Sequence, residues 1–139
     1  MTTSLTARAT GPFEVTLAQQ PLSDVAADSG LGRMSIDKVF HGDLAGTSKG
    51  EMLSATGSVK GSAAYVAIER VTGTLHGRSG TFALQHTGVM TRGTPGLIVA
   101  VVPDSGTGQL EGLTGTLSIH IEGKAHSYVF DYTLPDVVT

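Results

Sequence analysis

Glycine recurs every few residues through most of this chain, 19 times in 139, and that spacing constrains the fold more than any other feature. Each glycine inside a helix costs roughly 0.5–1 kcal/mol relative to alanine, so long helices do not fit such a density. Thr, Val, Ile and Leu fill the intervals, which is the texture of strands broken by frequent turns. The expected class is all-β.

Period-two alternation locates the strands. Leu113, Leu117, Ile119 and Ile121 share one face, against Thr114, Thr116, Ser118, His120 and Glu122. Tyr128, Phe130, Tyr132 and Leu134 alternate with Val129, Asp131 and Thr133, and Glu122–Lys124 reads as the hairpin turn between the two runs. Phe82, Leu84, His86 and Met90 share a face, as do Met34, Ile36, Lys38 and Phe40. Eight strands are expected, at Pro12–Gln20, Arg33–Gly42, Gly50–Gly57, Ser62–Leu75, Gly80–Thr91, Gly96–Pro103, Gly112–Glu122 and Ala125–Leu134. Short connections pair sequence neighbours antiparallel, and Pro21–Gly32 is left as a loop or a single helical turn. One domain, residues 1–139, is expected, with 1–11 and 136–139 as flexible tails. A closed eight-stranded antiparallel up-and-down barrel, lipocalin-like in shape, accounts for the pattern. A two-sheet sandwich is the alternative, but strongly bent strands take glycine at their corners, which favours the barrel.

Two strands are apolar on both faces, Leu97–Val102 and, nearly so, Ala63–Val71. In an antiparallel sheet such strands need a second cover, from a loop, a short helix or another subunit; a homo-oligomer, dimer or trimer, is the expectation. Charged residues make up only 15% of the chain and the net charge is −3, with no basic stripe, so nucleic acid is not an expected partner. The chain has no cysteine for a disulfide or thiolate metal site, and no asparagine for N-glycosylation. The opening MTTSLTARATGPFEV lacks the apolar core of a secretory leader. No apolar run approaches the ~20 residues of a membrane helix. The expected location is cytoplasmic, with no membrane partner.

The stretch VVPDSGTGQLEGLTG, Val101–Gly115, superficially suggests a phosphate-binding loop. Its glycines are spaced Gly106-x-Gly108-x-x-x-Gly112, no lysine follows, and the next element alternates as a strand rather than opening a helix. Those features fit neither phosphate-binding fingerprint. Instead, Gly106, Thr107, Gly108, Leu110, Gly112 and Gly115 resemble the glycine turn of the allene oxide cyclase and dirigent barrels, with Ser105 departing from the usual first glycine. A bacterial family, DUF3224, resembles the chain more extensively, through FHGDLAGTSKGEML (Phe40–Leu53), YVAIERVTGTLHGRSGTFALQH (Tyr65–His86), VVPDSGTGQLEGLTG and HSYVFDYTL (His126–Leu134). The resemblance implies a closed eight-stranded barrel. For the wider group it implies oligomers, and apolar, oxygenated small molecules held in the barrel mouth without a cofactor.

Polar residues that share a parity with core positions are the candidates for chemistry. His86 lies in register with Phe82 and Leu84, and its ordinary pKa near 6.5 suits acid–base work. Glu69 and Arg70 are adjacent and point to opposite faces of a strand; Glu69 shares the face of Tyr65 and is the inward candidate. An inward carboxylate needs a partner, which Arg78 or Lys38 could supply. Glu69 and His86 are therefore the candidate catalytic pair, and Tyr65, Arg70, Arg78, Tyr128, Tyr132 and Lys38 the candidate ligand-binding residues. A buried structural ion pair is the competing account. His120, Glu122 and His126 could form a metal site, but the first two share their face with Thr114, Thr116 and Ser118, so no metal and no cofactor are expected. His41 and Asp43, flanking Gly42 at a strand end, fit a rim or an Asx turn. The expected function is binding of an apolar or oxygenated small molecule inside the barrel. A cofactor-independent cyclase or isomerase, and a barrel packed solid, are the alternatives.

Overall fold

The computed structural model describes the backbone of residues 2–137 and the side chains of residues 5–135. The strands are β1 (Thr2–Gln19), β2 (Gly32–Phe40), β3 (Leu44–Thr56), β4 (Ala63–Leu75), β5 (Arg78–Thr91), β6 (Thr94–Val101), β7 (Thr114–Glu122) and β8 (Ala125–Val137). Each pairs with its sequence neighbour and β1 pairs with β8, closing an eight-stranded antiparallel barrel. A 3-10 turn at Gly108–Leu110 is the one helical element among the described residues, and no helix there is long and apolar enough to cross a membrane.

Two boundaries differ from the alternation-based reading. β1 begins at Thr2 rather than Pro12, so the segment 1–11 is no tail from Thr2 onward. Thr2–Phe13 runs antiparallel to β8, from Thr2↔Val137 to Phe13↔His126. The inward positions there include the small Ala7, Ala9 and Gly11, which make a weak hydrophobic signal. At the C-terminal end, Asp136 and Val137 belong to β8, and residues 138 and 139 lie outside the described residues. β3 begins at Leu44, ahead of the expected Gly50, because its inward positions Gly46, Ser48 and Gly50 carry no large apolar side chain.

The barrel has two unlike ends. At one, Leu44, Leu75, Phe82, Leu110, Leu113 and Leu134 are fully buried, and Phe82 stacks on Phe130 at 5.8 Å. Tyr128 Oη accepts a hydrogen bond from the Leu44 amide and donates to the His41 carbonyl, tying β8 to the β2–β3 connection. His76–Gly77 closes the β4–β5 hairpin there with positive φ at both residues (46° and 81°), the primed turn that matches strand twist.

The glycine-rich stretch completes this closed end. β6 pairs with β5 only from Leu84 to Thr91, leaving the first part of β5 paired with β4 on one side but with no strand on the other. The chain after β6 fills that edge. The amides of Val102 and Thr107 donate to the carbonyls of Ala83 and Thr81, and Ser105 Oγ and Thr107 Oγ1 accept from the Ala83 and Thr81 amides. The segment then turns so that Leu110 and Leu113 enter the core. The turn is so tight that a Cβ on Gly106 would lie 1.9 Å from the Leu110 carbonyl oxygen. These glycines allow backbone to meet backbone.

Candidate functional site

The middle of the barrel carries the buried charge. Lys38 on β2, Ser48 on β3, Glu69 on β4 and His86 on β5 are the buried polar and charged residues among the described ones. Register brings them together, since Lys38 is opposite Ser48, Gly50 is opposite Glu69, and Ala67 is opposite His86. Small residues make the room. A Cβ on Gly50 would lie 2.8 Å from that of Glu69, and one on Gly88 would lie 2.3 Å from the Tyr65 ring.

Glu69 is completely buried and fully partnered. Its Oε2 accepts from Lys38 Nζ at 2.7 Å and from His86 Nε2 at 2.5 Å, and its Oε1 accepts from Ser48 Oγ at 2.7 Å. The Lys38 ammonium also sits 5.2 and 5.7 Å from the ring centres of Phe13 and Phe40, within cation–π range. Burial alone pushes the Glu69 carboxyl upward. The His86 hydrogen bond and the charge and hydrogen bond of Lys38 outweigh it and bring the carboxyl down to about 2. Glu69 is therefore an anion at neutral pH. It accepts from His86 Nε2 and so fixes the orientation of the ring. His86 Nδ1 has no hydrogen-bond partner among the described residues. No fully buried side-chain nitrogen or oxygen there lacks a partner, so Nδ1 touches solvent.

Above this cluster the barrel opens. Leu17, Met90, Leu97 and Ile121 occupy inward-facing positions yet are 47%, 43%, 43% and 65% exposed. Tyr65 stands between, half-buried, its ring 6.3 Å from that of His86. Burial and the negative Glu69 raise the Tyr65 phenol above its ordinary value. The result is an apolar mouth over an ionised floor. The floor offers an oriented imidazole, the hydroxyl of Tyr65 and a local ion pair, a set suited to hydrogen bonding or proton transfer at one end of an apolar molecule.

The structure gathers Glu69, His86, Lys38 and Tyr65 of the residues singled out in the sequence. Lys38 pairs with Glu69; Arg78 instead neighbours Tyr132 at the closed end. Arg70 lies exposed on the outer wall, because it follows the inward Glu69 in a strand, and so it does not line the interior. Tyr128 and Tyr132 point inward but are packed into the closed half, where the Tyr132 hydroxyl meets His76 Nδ1 at 2.5 Å. His120 and Glu122 are on the outer face and His126 packs inward against Phe13, so the three do not converge. Asp43 ties the closed end together by accepting the Thr10 amide. Ser48 and Phe13 are the additions that sequence reasoning missed. Carrying the strand alternation back from Gly50 to Leu44 would have placed Ser48 inside.

A wide groove lies elsewhere. About 990 Å³ separates the β1–β2 connection from the outside of β3, β4 and β5, with Leu22, Leu31, Leu53, Val66 and Ile68 in its walls. The connection folds down the outer wall at this groove.

Comparison with known proteins agrees with this architecture. The crystal structure of a protein of unknown function from the DUF3224 family of Shewanella oneidensis MR-1 is similar, with 49% sequence identity and a TM-score of 0.84. The match covers 92% of this chain and 96% of that one. No curated protein matches the sequence. The model of DUF3224, a family described as proteins of unknown function, matches residues 9–132, and the chain belongs to that family.

Proposed function

We propose that this barrel binds an apolar or oxygenated small molecule in its mouth, with a polar end set down on His86 and Tyr65, above the buried Glu69–Lys38 pair. One observation carries the reading: a fully buried, ionised cluster forms the floor of a mouth whose inward side chains are apolar and solvent-exposed. A buried ion pair is a poor source of stability, since desolvation offsets most of its attraction, whereas perturbed titrating groups in a concave site commonly serve ligands. The test is fluorescence titration with N-phenyl-1-naphthylamine, an apolar probe. Saturable binding that weakens at least tenfold in Leu97→Lys supports the reading. Absence of saturation, or equal affinity in that variant, overturns it.

A cofactor-independent cyclase or isomerase is the second reading, favoured by the geometry of His86. Glu69 holds the ring by Nε2 while Nδ1 touches solvent, the arrangement of an oriented general base. In this reading His86 takes a proton from the bound molecule and returns it at another atom, and Glu69 stabilises the imidazolium between the two steps. Turnover of candidate substrates that is unchanged in both His86→Ala and Glu69→Gln would exclude it.

A further inference from the structure

We propose that the group taken at the floor of the mouth is a hydroxyl, of a phenol or an alcohol, which donates to His86 Nδ1 and accepts from Tyr65 Oη. The inference rests on the mouth being a binding site and names the chemistry it selects. Two polar atoms of the floor are open. Glu69 occupies the Nε2 side of His86, while His86 Nδ1 and Tyr65 Oη have no hydrogen-bond partner among the described residues. At the closed end the equivalent atoms satisfy each other, His76 Nδ1 meeting Tyr132 Oη at 2.5 Å. Tyr65 and His86 instead stand with ring centres 6.3 Å apart and planes tilted by 44°. Tyr65 pairs with Gly88, the next inward position above His86 on β5, and its ring comes within 2.3 Å of where a Gly88 Cβ would be. The phenol thus overhangs the imidazole from the side of the mouth.

The roles of donor and acceptor follow from the cluster beneath. The Glu69 carboxylate is ionised and can only accept, so Nε2 is the donor in its bond with His86. A neutral ring bound in that way presents Nδ1 as an acceptor, and the Tyr65 hydroxyl can donate. A ligand hydroxyl meets both with one oxygen. An ether, ketone or ester oxygen accepts from Tyr65 but offers His86 no proton. A carboxylate lacks the donor too, and brings a second negative charge near Glu69, whose Lys38 partner is already engaged. An ammonium has no lone pair for Tyr65, and would shed its water among the apolar Leu17, Met90, Leu97 and Ile121. His86 is only 4% exposed, so a ligand reaches little more than Nδ1. A ligand that covers that atom without pairing it loses the most, which is how a site built for a hydroxyl rejects its analogues.

The test is calorimetric titration of the full chain with 4-butylphenol, 4-butylanisole and 4-butylbenzoate at about pH 8, above the ordinary imidazole value. The phenol is expected to bind at least about tenfold more tightly than either analogue, the scale of one hydrogen bond left unmade. In His86→Phe the phenol and the anisole should come within about threefold of each other. Tyr65→Phe should weaken both and keep the phenol ahead, since each oxygen loses the same donor. The wild-type order and Tyr65→Phe decide the matter even where His86→Phe does not fold. Equal affinity for the three, lost in Leu97→Lys, would leave the mouth a binding site and overturn its hydroxyl selectivity. Tighter binding of the anisole or the benzoate, or a phenol preference unchanged in a folded His86→Phe, would overturn it as well. Saturable binding of none of the three would also overturn it, and the N-phenyl-1-naphthylamine titration then shows whether the mouth binds at all.

Discussion

The two ends of this barrel are built from one alternation rule and reach opposite outcomes. In the closed half Phe, Leu, Val and Tyr side chains fill the interior between small inward Gly and Ala positions, and the Tyr128 hydroxyl is tied to backbone. In the open half inward Leu17, Met90, Leu97 and Ile121 meet solvent, and the layer beneath them is an ionised cluster. Folding stability is thus concentrated at one end, and the other carries groups that a protein optimised for stability alone would replace with hydrocarbon. Facing inward is a statement about strand geometry; being buried depends on what lies across the barrel.

The sharpest way to break the contrast is to remove packing from the closed half. Phe82→Ala is expected to lose about 3–5 kcal/mol in urea unfolding, from lost burial plus a cavity. A loss below about 1 kcal/mol would mean that the closed half is not the stabilising one. Acidification probes the open half next. Glu69 has its carboxyl lowered from 4.5 to about 2, so its stabilisation is complete above 4.5 and is lost as pH falls toward 2. Those values correspond to a loss on the order of 3 kcal/mol. In Lys38→Met/Glu69→Leu the acid-dependent loss should shrink while stability at pH 7 stays level or rises. A double variant several kcal/mol less stable at pH 7 would make the cluster structural after all. Tyr128→Phe leaves the buried Leu44 amide without its acceptor and should cost roughly 1–3 kcal/mol, measurable as a lower urea midpoint. The smallest effect belongs to the mouth, where Ile121→Thr should stay within about 0.5 kcal/mol of wild type. An equally large loss there as at Tyr128 would erase the distinction between the ends.

Much of this architecture is written locally. The alternation of Leu117, Ile119 and Ile121, and of Tyr128, Phe130 and Tyr132, marks β7 and β8 directly, and the parity of Glu69 with Tyr65 sends the carboxylate inward. Parity alone also narrowed the partner of Glu69 to Lys38 or Arg78, and the stagger of the strands decides for Lys38. What stayed hidden depends on other strands. Thr2–Gly11 becomes a strand because β8 lies beside it, and its small inward residues give little signal of their own. Ser48 is masked by flanking Gly46 and Gly50, which are small so that neighbouring backbone and the Glu69 side chain can come close. The glycine-rich stretch is the clearest instance: nothing local to it says that its Ser105 and Thr107 side chains will stand in for a strand.

The line between β6 and β7 has a mechanical consequence. These strands meet through one register pair, Ala100↔Thr116, whereas β4 and β5 pair from Ala63 to Leu75. A cylinder resists swelling through the ladders that must lengthen, and along this line there is almost no ladder. Widening the bore here leaves the other seven lines of pairing in the closed sheet intact. By its pairing the barrel is less an unbroken tube than a split ring, continuously laced around most of its circumference and held by a single register pair at one seam.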